Sequence, residues 1–102
     1  MFTGTLALDL LVGDDVRSLK DKRSVVRPIV AELRKRYAVS AAEAGHLDLH
    51  RRALVGVAVV AADRAHCAEV LDACERLVAG RPEIELLSSR QQFLSINDDV
   101  ED

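Results

Sequence analysis

Residues 53–61 read Ala53-Leu54-Val55-Gly56-Val57-Ala58-Val59-Val60-Ala61, an apolar run without a single charge. It is too short for a buried helix and rich in β-branched valine, so it predicts a strand, and its near-continuous apolar character a central one. Directly after it the period changes. Asp63 is placed to cap a helix, and Cys67, Val70, Leu71, Cys74, Leu77 and Val78 recur at helical spacing as one stripe, which Gly80 and Pro82 end. Strand and helix are thus joined with almost no linker.

Upstream, the same pair of elements recurs. Thr3 to Val12 alternates, with Leu6, Leu8, Leu10 and Val12 on one side and Thr5, Ala7 and Asp9 on the other, the mark of a half-buried strand. Gly13-Asp14-Asp15 breaks it. Ser18 followed by Asp21 makes a capping-box-like start for a helix whose apolar face is Val26, Ile29, Val30, Leu33 and Tyr37. Pro28 lies inside that pattern and predicts a kink or a loosened first half; alternatively the regular helix begins near Val25, with 18–24 as an irregular lead. Ala38 to Ala44 reads as a weak, small-residue strand, and 46–52 as a polar connection. Glu83 to Leu94 supplies the last strand, where the adjacent Leu86-Leu87 breaks alternation and predicts a bulge.

The order strand, helix, strand, strand, helix, strand gives an α+β fold. Two helices cover one face of four strands, so the economical arrangement is the ferredoxin-like split βαββαβ, a four-stranded antiparallel sheet with both helices on one face. The domain is expected to span 1–94, with 95–102 a disordered acidic tail carrying Asp98, Asp99, Glu101 and Asp102. The other sheet face is left bare and is lined by Thr5, Ala7, Asp9, Leu54, Gly56 and Ala58.

Composition agrees with one small domain. The chain has 102 residues, 49% of them hydrophobic, which is enough for a core and too many for disorder. Its longest apolar run has ten residues, against the roughly 20 that a membrane helix needs. Met1 to Val12 lacks a basic start and holds Asp9, so no secretory signal is read there. Cys67 and Cys74 are two helical turns apart, about 10 Å along the axis, too far for a disulfide; a cytoplasmic protein is expected. The net charge of −3 is uneven. Residues 1–52 carry 10 Lys and Arg against 7 Asp and Glu, whereas 53–102 carry 4 against 10.

Three groups of residues are candidates for chemistry. The first is the basic start of the first helix: Arg17, Ser18, Lys20, Lys22, Arg23 and Arg27. Cations there oppose the helix dipole unless an anion joins them, and exposed backbone N–H groups add donors for phosphate. Arg51 and Arg52 are expected to assist if the fold brings them close. The second is His46-Leu47-Asp48-Leu49-His50, where an extended backbone puts imidazole, carboxylate and imidazole on one side as a weak transition-metal triad without an evident fourth ligand. The third is the bare sheet face. Its strands carry no mid-strand aromatic, and Phe2, Tyr37 and Phe93 are the only aromatics in the chain, so base stacking is not expected. Thr5, Ala7, Leu54, Gly56 and Ala58 suit packing against a partner better. No phosphate-binding glycine loop, nucleophile–base pair or dinucleotide fingerprint is found, and no cofactor is expected.

Several segments taken together resemble the YlxP-like family of bacterial domains. They are Ser18-Leu19-Lys20-Asp21-Lys22-Arg23-Ser24-Val25-Val26, Val39-Ser40-Ala41-Ala42-Glu43, Gly45-His46 with Asp48, and Arg52-Ala53 with Gly56-Val57-Ala58. The resemblance runs from about Met1 to Leu94. It implies a ferredoxin-like fold, an unknown function, and genes that neighbour those of translation initiation factor two and ribosome-binding factor A. Matched position by position, it directs attention to Ser18, Lys20, Lys22, Arg23, Glu43, Asp48 and Arg52. The family commonly has Trp two residues after the Asp, where this chain has His50, so the His46–Asp48–His50 triad is this chain's own. The expectation is a non-enzymatic accessory module that contacts RNA or a ribosome-associated partner. A module that homodimerises through the open sheet face is the alternative, and a metal-dependent hydrolase a distant third.

Overall fold

A computed structural model describes residues 1–96 of the chain; the acids expected to form a tail lie outside the described residues. The elements are β1 (Phe2–Val12), α1 (Leu19–Arg36), β2 (Ser40–Gly45), β3 (Arg52–Ala61), α2 (Arg64–Ala79) and β4 (Ile84–Ser95). Every neighbouring strand pair is antiparallel and the sheet order is β2-β3-β1-β4, so the fold is the ferredoxin-like α+β split. No helix among the described residues is long and apolar enough to cross a membrane.

Alternation fixes which side of each strand meets the helices. On β1, Leu6, Leu8, Leu10 and Val12 are buried, and opposite them Ala53, Val55, Val57 and Val59 of β3 complete the layer. Val26, Ile29, Val30 and Leu33 of α1 and Cys67, Leu71, Cys74 and Val78 of α2 close it from one side. Both thiols are free and buried, and burial pushes the Cys74 thiol above its ordinary range. Gly4 explains a close approach: a Cβ there would lie 2.9 Å from Leu71 Cδ1 and 3.3 Å from Phe93 Cε1.

Local sequence signals account for the boundaries. Ser18 Oγ accepts the Asp21 N–H at 3.0 Å, and the Asp21 carboxylate in turn accepts the Arg17 N–H at 3.0 Å. With its first turn satisfied from both directions, α1 starts at Leu19, not near Val25, and continues through Pro28. That proline is exposed, so its missing N–H and its ring fall on the solvent side. Asp63 caps α2 by accepting the His66 N–H at 2.7 Å. The expected bulge is present: Asp9 faces Ser88 while Leu10 faces Leu86, which leaves Leu87 without an opposite residue. β4 pairs through Ser95, so the sheet takes in one residue beyond the expected boundary at 94, and the Ile96 N–H donates to the Met1 carbonyl at 3.0 Å.

Filling the space above Gly4 tests this packing. Gly4→Ala is expected to cost about 1–3 kcal/mol through overpacking against Leu71 and Phe93, read as a lower urea midpoint with an unchanged slope.

Candidate functional site

The structure divides the sequence-predicted basic residues into an internal group and an exposed one. Lys22 belongs to the internal group, which corrects its expected role as an anion ligand. It lies on the same helical stripe as Val26, Ile29 and Leu33 and is only 1% exposed. Its Nζ donates to the His46 carbonyl at 2.9 Å and the Arg52 carbonyl at 3.1 Å. It also sits 2.9 Å from Glu43 Oε2, in an ion pair whose geometry falls outside that of a hydrogen bond. An ammonium has three N–H groups; two are spent on these carbonyls, and the nearby carboxylate balances the charge. Lys22 therefore ties α1 to both ends of the β2–β3 connection.

Arg52 is also engaged. Its Nη2 donates to Asp9 Oδ1 at 2.8 Å and Oδ2 at 2.7 Å, and its Nε reaches Oδ1 at 3.2 Å. The pair lies diagonally across β1 and β3 on the open sheet face. The Arg52 hydrogen bonds hold the Asp9 carboxyl below its ordinary value of 3.8, opposed by partial burial and helped by Coulomb attraction to Arg52 and by His46. Arg51 spans Asp14 at 2.7 Å and the Val12 carbonyl at 3.2 Å. Both arginines are thus already paired within the chain.

His46, Asp48 and His50 do not come together. The connection is turned, not extended: the Leu49 N–H donates to the His46 carbonyl at 3.1 Å, and His46 itself has φ 55°. Alternation is lost in such a turn, so the three side chains no longer share a side. His46 Nε2 points instead to Asp9 Oδ1 at 3.5 Å, while Asp48 and His50 are exposed. Among the described residues no group of three His, Cys, Asp or Glu is placed to hold a metal.

What remains is an exposed basic surface. Arg17 leads into it, and Lys20, Arg23 and Arg27 follow at helical spacing with no side-chain partner among the described residues. Lys20, Arg23, Ser24, Arg27 and Pro28 line one shallow depression; Arg23, Arg27 and Arg34 rim a second, between α1 and the edge strand β2. Ser18 stands at its margin with its hydroxyl already used as the cap. The third candidate group is assembled as expected: Thr5 faces Ala58, Ala7 faces Gly56 and Asp9 faces Leu54 on the uncovered side. Ala42 and Ala44 extend this into a small-residue trough, with Arg90 and Gln92 on its far rim.

A family model described as "Protein of unknown function (DUF503)" matches residues 3–91. The chain belongs to this family. It is 30% identical over 79 residues to the uncharacterized protein YlxP of Bacillus subtilis (strain 168), covering 78% of this chain and 86% of the relative. The YlxP-like resemblance is thereby borne out, and the residues 18–26 that carried it include both the buried Lys22 and the exposed Lys20 and Arg23.

Two consequences can be measured. Lys22→Met strands the Glu43 carboxylate and two carbonyls, and is expected to cost about 3–5 kcal/mol; adding Glu43→Met should recover part of the loss, seen in a double-mutant cycle of urea unfolding. Asp9 has a depressed pKa when folded, so its contribution is present above pH 3.8 and is lost as pH falls through the lower folded value. Asp9→Asn should therefore be less stable than the parent at neutral pH, with the gap closing as the solution is acidified below 3.8.

Proposed function

We propose that this protein is a non-enzymatic accessory module that contacts the sugar–phosphate backbone of RNA through the exposed face of α1. The observation that carries this reading is the contrast among its cations. Lys22, Arg34, Arg36, Arg51, Arg52, Arg64 and Arg81 each have a hydrogen-bond, ion-pair or ring partner within the chain. Lys20, Arg23 and Arg27 have none among the described residues, as is also true of Arg17, Lys35, Arg76 and Arg90, but these three lie in one row on α1. Seven residues of helix place the ends of that row about 10 Å apart. Unpaired, aligned cations at the start of a helix fit a polyanion, since phosphate contacts release counterions and need no deep pocket.

The aromatics support a backbone contact in preference to base stacking. Phe2 and Phe93 pack against the core side of the sheet, and Arg64 covers the Phe93 ring at 4.3 Å. The translation-linked gene neighbours that the resemblance implies favour the same reading.

A second reading, a partner protein or second copy on the open sheet face, is favoured by Val60 and Leu94. They flank Thr3 on that face and are 63% and 65% exposed. Ala7→Arg or Ala58→Arg should abolish association if that face is the interface.

The RNA reading is tested with a structured RNA titrated at several salt concentrations. The parent is expected to bind with a negative salt slope, and the triple variant Lys20→Glu, Arg23→Glu, Arg27→Glu to lose binding, with the slope reduced by about 1 per contact removed. Unchanged binding by the triple variant, or no binding by the parent at low salt, overturns it.

A further inference from the structure

The two edges of the sheet are treated differently. β2 is six residues long, and Arg34 Nε donates to its Ala41 carbonyl at 2.9 Å from outside, so a side chain occupies that edge. β4 is twelve residues long, well beyond the usual strand of about five or six, and has no such guard among the described residues. Among the described residues, the one side-chain bond to its backbone comes from inside the sheet, Thr5 Oγ1 to the Gln92 carbonyl at 3.5 Å. It contains no proline, and Ser88, Ser89, Gln91 and Gln92 are uncharged. Unpaired backbone along such an edge is a template for another strand.

Glu85 and Arg90 point to what that strand is. Neither has a partner among the described residues, and both are exposed. Residues five apart in a regular strand point to opposite faces. Here Glu85 lies opposite Leu11 and Arg90 opposite Ala7, both on the uncovered face, because the extra residue Leu87 shifts the phase between them. An antiparallel copy related by a two-fold axis near Leu87 and Ser88 would set Glu85 against the second copy's Arg90, and Arg90 against its Glu85. The same register matches Leu86 with Ser89 and Ile84 with Gln91, residues that share the helix-covered side through their partners Leu10, Leu8, Val12 and Leu6. A bulge ordinarily interrupts edge pairing; at the two-fold midpoint it leaves the segments on either side free to form ladders. Leu87, 43% exposed, would then lie opposite the second copy's Ser88.

We propose that β4 is the contact between two copies of this chain, joined edge to edge into a continuous eight-stranded sheet with two reciprocal Glu85–Arg90 ion pairs. This is independent of the RNA reading, because the Lys20, Arg23 and Arg27 row is on α1, beside the opposite edge.

The test is sedimentation velocity of the full chain over a micromolar concentration series. The parent should show a reversible monomer–dimer equilibrium. Glu85→Arg and Arg90→Glu should each weaken it by about tenfold or more, since each turns two attractions into two repulsions, and the charge-exchanged double variant should regain affinity to within about threefold of the parent. Both positions are exposed, and circular dichroism of each variant confirms that folding is retained. A parent that stays monomeric, single variants that associate like the parent, or a double variant no better than the singles overturns the proposal. Association abolished by Ala7→Arg or Ala58→Arg but indifferent to Glu85 and Arg90 would place the contact on the sheet face instead.

Discussion

The buried ammonium of Lys22 is the constraint on which the functional half of this molecule depends. A charge removed from water is costly unless it is paired and hydrogen-bonded, and here two carbonyls accept from it and a carboxylate balances it. The carbonyls belong to His46 and Arg52, the two ends of the loop between β2 and β3. One side chain thus sets the height of α1 above the sheet and the course of that loop. With Lys22 turned inward, helical geometry turns Lys20, Arg23 and Arg27 to solvent.

The same arrangement leaves two charge systems with opposite characters. Around Asp9, Arg52, Arg51 and Asp14, opposite charges are matched inside the chain, so the end of the open sheet face is locally neutralised. Along α1, Lys20, Arg23 and Arg27 remain unmatched among the described residues, beside helix N–H groups. Residues that look equivalent in the sequence, such as Lys20 and Lys22 or Arg23 and Arg52, therefore have different capacities for an external anion. Composition does not decide this. Pairing does.

Much of this was legible before any coordinates. The alternation of Thr3 to Val12, the valines of 53–61 and the Cys67–Val78 stripe each identify one element, and the Leu86-Leu87 pair locates the bulge. The Lys22 site also left a trace: it extends the Val26, Ile29 and Leu33 spacing back by one turn, and Glu43 shares the inward phase of Ala41 on β2. A lysine on an apolar stripe and a glutamate on the inner side of a strand are complementary misfits. Each alone reads as a surface charge, because a chain read linearly gives no sign that 22 and 43 will meet. The His46–Asp48–His50 triad failed for a related reason, since alternation assumes extended backbone and His46 adopts φ 55°.

Periodicity and capping in the sequence determined the six elements, their order and the side of each that is buried, because these depend on neighbours a few residues apart. Only the tertiary structure decided which charges are spent internally, that one sheet edge is guarded while the other is unguarded among the described residues, and that Glu85 and Arg90 share a face. Those outcomes depend on distances between residues remote in the chain, and on a single inserted residue whose effect appears only once the strands are paired.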